Sequence, residues 1–280
     1  MSKRSLRNKL SRTYRQLTSP VRRLPDFLVI GVVKGGTTSI YKYMVQHPMI
    51  ASATAKEIHY FKRKFFATHN SYWYRSHFPL SQTLTRSLKL TGEASPEYFH
   101  NPEAPQNIYQ LVPEAKLILL LRNPIDRAYS HYEMNMKNRK KKLGLDPHKT
   151  FTQIVHDEIE ILKFNRPSDQ ASKMFEREPL GFTYLGSGMY IYSLRNWFQV
   201  FPKEKILILK SEDLFDNPEI LMNQVFEFLG LDPFKANYSP LNVGDYTKLD
   251  ASLRKNLLEF FQPYNEALFA YLNRDFDWGC

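Results

Sequence analysis

A lysine, two glycines and three hydroxyl residues stand together near the start of the chain, where they could bind an anion. The run 34–39 reads Lys-Gly-Gly-Thr-Thr-Ser. It follows an apolar run over 27–33, which predicts a strand buried on both faces, and precedes a helical pattern from Ile40. The N–H groups of a first helical turn attract negative charge, and Lys34 adds a full positive charge. The sequence therefore predicts an anion site at this strand–turn–helix junction.

The spacing of this loop differs from that of a nucleoside triphosphate loop. Gly31 and Gly36 have the separation of the Walker A glycines, but Thr37 occupies the lysine position and Lys34 precedes the glycine pair. A glycine turn in an ordinary βα unit is the alternative interpretation of this stretch taken alone.

A second candidate anion site follows the most apolar run of the chain, 115–121, which predicts a central strand. Ligands of open α/β sheets bind beyond the carboxyl ends of strands, so Arg122 lies where a ligand is expected. Arg127 and Ser130 in the following helix could face the same crevice. A Walker B strand ends in aspartate, whereas an arginine suits a phosphate held directly and without a metal.

Glu57 and His59 form a candidate acid–base pair. They alternate with apolar residues over 55–61, so in an extended segment their side chains point to the same side. A carboxylate facing an imidazole can serve as a general base and its support. A surface ion pair is the alternative.

The remaining chain predicts one α/β domain with a central parallel sheet flanked by helices. We expect a solvated basic arm over 1–23, contact with an anionic surface being the alternative, and the domain itself over 24–280. Weak patterning over 143–188, with one helix from Phe151 to Leu162, predicts an insertion that could be a lid. Later helices are expected over 190–201, 217–229, Leu253–Phe261 behind an Asp250 cap, and Asn265–Leu272.

Composition limits the possible partners and compartments. A net charge of +11 implies an acidic partner: a nucleic acid, a membrane surface or an anionic substrate. The single cysteine, Cys280, excludes an internal disulfide and a cysteine-based metal cluster. No apolar run has the length of a transmembrane segment or the character of a signal peptide, so we expect a reducing cytoplasm.

Together these motifs resemble the sulfotransferases that use 3′-phosphoadenosine 5′-phosphosulfate (PAPS), especially the branch of heparan sulfate N- and O-sulfotransferases and their bacterial relatives. Lys34–Ser39 is similar to the 5′-phosphosulfate loop, Leu119–Ser130 to the 3′-phosphate motif, and Lys56–Phe61 to the segment of the catalytic glutamate. Residues 264–268 and Trp278 fit the C-terminal pattern. The resemblance covers most of the chain and implies a P-loop-like sulfotransferase fold.

The resemblance assigns roles to individual residues. Glu57, Lys34 and His59 would be catalytic: Lys34 would stabilise charge on the leaving oxygen, and Glu57, beside His59, would accept the acceptor's proton. The expected donor contacts are Lys34, Gly35, Gly36, Thr37, Thr38, Ser39, Arg122, Ser130, Gly244 and Tyr246. The expected acceptor contacts are Lys56, Phe61, Arg63, Ser95 and Tyr98.

The resemblance also implies PAPS as donor, 3′-phosphoadenosine 5′-phosphate (PAP) as product, and no metal. The acceptor would be a hydroxyl or amine of a saccharide or a secondary metabolite. Two departures are visible: Ala94 replaces the lysine of the glycan O-sulfotransferases, and the glycine loop at 242–246 lacks basic neighbours. The absence of an anchor segment and of a disulfide favours a bacterial cytoplasmic enzyme, and nucleic acid is not expected as a partner.

Two other functions fit parts of the sequence. A nucleotide kinase or ATPase would share the strand–loop–helix architecture and would require Mg²⁺. A non-catalytic binder of nucleic acid or of an anionic surface would use the net charge alone, with steep salt dependence. The sequence leaves the oligomeric state open.

Overall fold

The computed structural model describes residues 3–81, 89–143, 149–164, 184–239 and 249–279. In these ranges five parallel strands form one sheet in the order β2-β3-β1-β4-β5. The strands are β1 Phe27–Gly31, β2 Ile50–Ser52, β3 Leu90–Ala94, β4 Lys116–Leu121 and β5 Ile206–Lys210. The predicted fold class, an α/β domain with a central parallel sheet, is confirmed.

Helices connect and cover these strands. They are α1 Lys3–Leu17, α2 Thr37–Met44, α3 Arg63–Thr68, α4 Ser71–Arg75, α5 Ala104–Leu111, α6 Pro124–Leu143, α7 Phe151–Phe164, α8 Tyr190–Val200, α9 Ser211–Asp216, α10 Pro218–Leu229 and α11 Ala251–Leu272. Short 3-10 turns lie at Ser19–Val21, Pro96–Tyr98, Gly186–Gly188 and Lys203–Lys205. Within the described ranges, no helix has the length and apolarity needed to cross a membrane.

Alternate residues of the central strands face opposite sides of the sheet, as the period of two requires. Leu28 and Ile30 of β1 belong to a core cluster with α5, α8 and the end of α11. Phe27 and Val29 belong to a second cluster with α2 and α10. All five residues of β1 are buried, which confirms the prediction of a strand covered on both faces.

The last helix corrects one prediction. The sequence predicted two helices on either side of Pro263, but α11 runs unbroken from Ala251 to Leu272 with Pro263 inside it. Leu257, Phe261 and Leu268 are buried along its length, and this packing holds the helix together where the proline removes one donor. The Asp250 cap is confirmed, since its carboxylate accepts from the Leu253 N–H at 3.0 Å.

The N-terminal segment, expected as a solvated arm, contains the helix α1. The helix predicted within the insertion is confirmed as α7, which packs with α6 and α11 in a third cluster. Residues 165–183 lie outside the described residues, so the lid stays a prediction.

Candidate active site

Three adjacent strands carry the predicted site residues to one edge of the sheet. The carboxyl ends of β3, β1 and β4 lead to Ala94, to the loop at Lys34 and to Arg122. The chain leaves β1 toward β2 on one side of the sheet and leaves β4 toward β5 on the other. Open α/β sheets bind ligands where the winding reverses in this way. The crevice beyond β1 and β4 is therefore the expected ligand site.

The loop between β1 and α2 turns sharply to present a helix N-terminus at this edge. Lys34 has φ 71° and Gly36 has φ 86°, both in the left-handed region. The backbone therefore reverses within a few residues, and α2 begins at Thr37. The N–H groups of its first turn have no acceptor within the helix, which makes them available to an anion. This is the geometry that the sequence predicted.

Close neighbours leave no room for a side chain at either glycine of this loop. A Cβ on Gly35 would lie 2.9 Å from the Leu120 carbonyl oxygen, and one on Gly36 would lie 2.8 Å from Leu214 Cδ2. The Gly35 carbonyl also accepts from Ser211 Oγ at 2.8 Å, which ties the loop to α9. The loop is consequently packed and held rather than loosely extended.

Thr37 and Ser39 are buried, whereas Thr38 is partly exposed. Of the three predicted hydroxyls, only Thr38 thus presents side-chain surface to solvent.

Arg122 contacts the loop between β1 and α2 directly. Its Nη1 donates to the Lys34 carbonyl oxygen at 2.9 Å, and its guanidinium carbon lies 5.9 Å from the centre of the Phe215 ring. The Arg122 carbonyl accepts from the Tyr190 hydroxyl at 2.8 Å. The two motifs expected to bind opposite ends of the donor therefore form one continuous basic site. Ser130 lies on α6 and is only 3% exposed.

The prediction that Arg127 could face the crevice is wrong, because its side chain is buried. Arg127 is fully buried; its Nη2 donates to the Tyr184 carbonyl, while Nε and Nη1 have no hydrogen-bond partner in the described structure. Burial lowers the pKa of Arg127. Burial, with Arg127 and Lys34 nearby, also lowers the pKa of His131 to about 4. Burial is the first cause of both shifts, and the Glu158 carboxylate offsets part of the positive charge at Arg127.

Glu57 and His59 lie together, but for a reason other than the predicted one. The segment is not extended: Glu57 has φ 63° and His59 has φ 57°. These left-handed residues curl the loop so that Glu57 Oε2 lies 3.8 Å from His59 Nε2. The Glu57 N–H donates to the Ala94 carbonyl at 3.0 Å, which fixes the pair at the end of β3.

Charged neighbours surround this pair. Lys56 Nζ lies 2.5 Å from Glu57 Oε1, so Oε2 is the oxygen that faces the imidazole. On its other side, His59 Nδ1 lies 3.6 Å from Glu97 Oε2, and Glu97 also pairs with Lys62. Burial and the nearby Lys62 charge lower the pKa of His59. His59 therefore favours its neutral form, which can accept a proton.

The fully buried carboxylate of Glu93 organises the loop that carries Glu57. It accepts from Ser95 Oγ at 2.6 Å, the Tyr74 hydroxyl at 2.7 Å, the Tyr98 hydroxyl at 3.0 Å and the Ile58 N–H at 3.3 Å. Burial raises the pKa of Glu93, and these donors oppose the shift. Four donors aimed at one carboxylate match its ionised form. The sequence assigned no role in the site to Glu93.

Three of the predicted acceptor contacts belong to this interior. Phe61, Ser95 and Tyr98 have 0% exposure. Ser95 Oγ accepts from the His59 N–H at 3.2 Å, and the Tyr98 hydroxyl accepts from the Phe61 N–H at 3.4 Å. Side chains without surface do not fit direct contact with an acceptor, so we interpret them as supports of the 57–61 loop.

Of the predicted contacts that remain, the structure describes Lys56 but not the Arg63 side chain, Gly244 or Tyr246. Lys56 is partly exposed beside Glu57. The side chain of Arg63, together with Gly244 and Tyr246, lies outside the described residues, and their roles stay predictions.

Comparison with known proteins finds a matching family and similar proteins. The family described as "Sulfotransferase domain" matches residues 24–242. The human bifunctional heparan sulfate N-deacetylase/N-sulfotransferase 3 is 34% identical over 224 residues, which cover 78% of this chain and 23% of that protein. The membrane-associated sulfotransferase kil1 of Dictyostelium discoideum is 26% identical over 316 residues, covering 91% of this chain and 66% of that protein.

One solved structure resembles the whole fold. A sulfotransferase from Alicyclobacillus acidocaldarius superimposes with a TM-score of 0.68 at 25% identity, over 90% of this chain and 97% of that one. This chain is therefore comparable in extent to the bacterial protein. It spans only part of the two eukaryotic relatives.

Proposed function

Because this chain belongs to the sulfotransferase family, we propose that it transfers a sulfuryl group from PAPS to a hydroxyl or amine of an acceptor. The observation that carries the proposal is the contact between Arg122 and the Lys34 loop. It joins two basic elements at the winding reversal of the sheet, and Glu57 is fixed at the end of the neighbouring strand. A donor with phosphates at both its 5′ and 3′ positions needs two such elements.

The residues present fit this donor. The first-turn N–H groups of α2 and the Lys34 ammonium would hold its 5′ end, and Arg122 with Ser130 would hold its 3′-phosphate. The donor supplies an activated sulfuryl group on a bridging oxygen. Lys34 and the helix N-terminus would stabilise the negative charge that this oxygen gains as its bond to sulfur breaks.

Glu57 would act on the acceptor. Its Oε2 would take the proton from the acceptor hydroxyl or amine as the new bond to sulfur forms. Neutral His59 lies next to Oε2 and supports the carboxylate in that position. Lys56 holds the other oxygen, Oε1, and so keeps the carboxylate in one orientation. No step requires a metal ion, which a chelator control can check.

A saccharide or a secondary metabolite is the proposed acceptor class. The human relative is named for heparan sulfate and this chain has a net charge of +11, which together favour an acceptor that carries negative charge. Ala94, in place of the lysine of the glycan O-sulfotransferases, argues for a different recognition of the acceptor. A cytoplasmic location is part of the proposal, and cell fractionation tests it.

Thermal unfolding with equal concentrations of PAP, ADP and Mg-ATP tests the donor class. A ligand that binds only the folded state raises Tm by mass action. We expect a selective rise with PAP, unchanged by a metal chelator. A larger rise with Mg-ATP would favour a kinase or ATPase, and no rise with any of the three would contradict the assignment of the Arg122 motif.

A further inference from the structure

The N-terminal helix α1 is strongly basic and carries no acidic residue. In the sequence, Lys and Arg occupy positions 3, 4, 7, 9, 12 and 15 of this helix, followed by Arg22 and Arg23. There is no Asp or Glu before Asp26. Such a segment is attracted to any strongly anionic surface. None of these residues belongs to the site described above.

The C-terminal part of α1 is fixed to the domain rather than free. Arg15 donates from Nε to the Ser76 carbonyl at 2.8 Å and from Nη2 to the Phe78 carbonyl at 2.9 Å. Arg22, just after the helix, donates to the same Phe78 carbonyl at 2.8 Å. These bonds determine which side of α1 faces the domain and which side faces outward.

The outward side carries apolar side chains in one stripe. Leu10 is 63% exposed, Tyr14 55% and Leu17 78%. Their spacing of four and then three residues places them on one face of the helix. Arg15 lies roughly 140° around the helix from Leu10, because each residue advances by about 100°. Leu10 and Leu17 are therefore on a different face from Arg15, while the Tyr14 ring, also exposed, lies 5.6 Å from the guanidinium carbon of Arg22.

An exposed apolar stripe on a basic helix fits the surface of an anionic bilayer. Apolar side chains enter the boundary between head groups and acyl chains, while Lys and Arg contact the lipid phosphates. Lys9 is exposed about 100° around the helix from Leu10, beside the stripe, whereas Arg12 lies about 160° from Leu10, on the side of Arg15. A nucleic acid would use the cations alone, since its backbone gains nothing from exposed leucine side chains. The combination of stripe and charge therefore favours a membrane.

We propose that α1 is a membrane-docking helix that lies on an anionic lipid surface, with Leu10, Tyr14 and Leu17 inserted among the head groups. Docking through α1 does not depend on the sulfuryl-transfer chemistry. Its test is therefore independent of the proposed function.

Co-sedimentation with vesicles tests the proposal. The full chain is mixed with vesicles of phosphatidylcholine alone or of an equimolar mixture of phosphatidylcholine and phosphatidylserine. We expect binding to the mixed vesicles only, weakened by salt. The double variant Leu10→Ser/Leu17→Ser should lose at least about tenfold in partitioning, and Lys9→Gln, at the cation beside the stripe, should also weaken binding. All three side chains are exposed, so both variants should fold normally.

Ile220→Ser is the matched control, because Ile220 is 62% exposed on α10, away from the stripe. This variant should bind the vesicles as the unsubstituted protein does. The proposal is overturned if the protein ignores anionic vesicles or if the leucine variant binds them as well as the unsubstituted chain. It is also overturned if poly(U) RNA competes fully for the helix and the leucine substitutions leave that RNA binding unchanged, since binding would then depend on charge alone.

Discussion

The guanidinium of Arg122 holds the carbonyl oxygen of Lys34 at 2.9 Å, so the residue after β4 fixes the backbone of the loop after β1. Arg122 thus has two functions in the proposed mechanism: it supplies charge for a 3′-phosphate and it shapes the loop for the 5′ end. Substitutions that retain one function and remove the other can separate them.

Arg122→Gln removes the charge and leaves a side-chain amide that can still donate toward Lys34. Arg122→Leu removes both. We expect both variants to bind PAP about 10- to 100-fold more weakly, because a charge-assisted bidentate contact is lost. Binding of ADP, which lacks the 3′-phosphate, should weaken only in the leucine variant. Isothermal titration measures both ligands. Equal losses of PAP and ADP binding within each variant would mean that Arg122 only shapes the loop.

Glu57→Gln tests the proposed general base. The amide retains the size of the side chain but cannot accept the acceptor's proton, so kcat should fall by about 10²- to 10⁴-fold. The affinity for PAP should stay unchanged, because Glu57 lies on the β3 side of the site. A variant that binds PAP normally and keeps full turnover would refute the role of Glu57. Glu114→Gln, at an exposed carboxylate that pairs with Lys205, is the control.

Patterning of residues along the chain was enough to predict the β1–α2 junction and the Arg122 motif. Both depend on local features: an apolar strand, glycines with restricted surroundings, and a charged residue at a strand end. The proximity of Glu57 and His59 was also predicted, but from an extended segment that does not exist. Positive φ values at two non-glycine residues leave no mark in composition, so that geometry could not be read from the sequence.

The sequence did not reveal the role of Glu93, because its hydrogen-bond partners include residues that are distant along the chain. A glutamate inside an apolar strand, followed by Ser95 and Tyr98, was the available sign of a buried carboxylate. Its hydroxyl partner Tyr74, however, is 19 residues away, and the Ile58 N–H is 35 residues away. Only the folded chain brings these donors to Glu93. Packing along α11 similarly overrides the helix-breaking tendency of Pro263.

Glu93→Gln should impair both stability and turnover. The amide nitrogen would face hydroxyl and N–H donors, so the variant should lose roughly 2 kcal/mol of unfolding free energy. Since Glu93 holds Ile58 directly and His59 through Ser95, kcat should fall more than PAP affinity does. Tyr74→Phe is the matched control: it removes one hydroxyl donor to Glu93 and keeps the ring that packs against Tyr60 and Phe61 of the loop. An equal kcat loss in both variants would indicate a purely structural role for Glu93.

Gly92→Ala tests the close contact between β3 and β1. A Cβ at Gly92 would lie 2.3 Å from the Phe27 carbonyl oxygen and 2.5 Å from its ring, so the strands would have to separate. We expect a loss of about 3 kcal/mol or more in chemical denaturation, because backbone atoms cannot yield as a flexible side chain would. Gly279→Ala, which meets nothing within 4 Å, should change stability little. Similar stability of both variants would contradict the observed strand contact.

His131 should make stability depend on pH in the weakly acidic range. Burial, with Arg127 and Lys34 nearby, lowers its pKa from 6.5 to about 4, so the unfolded chain binds a proton more readily than the folded one. The contribution of His131 to the free energy of unfolding is therefore complete above pH 6.5 and is lost as pH falls toward about 4. It amounts to at most about 3 kcal/mol. Denaturation measured across this range should give an unfolding free energy that depends less on pH for His131→Gln. His156 is exposed, so His156→Gln should keep the pH dependence of the unsubstituted protein. If the unsubstituted protein and both variants show the same dependence of unfolding free energy on pH, His131 is not its source.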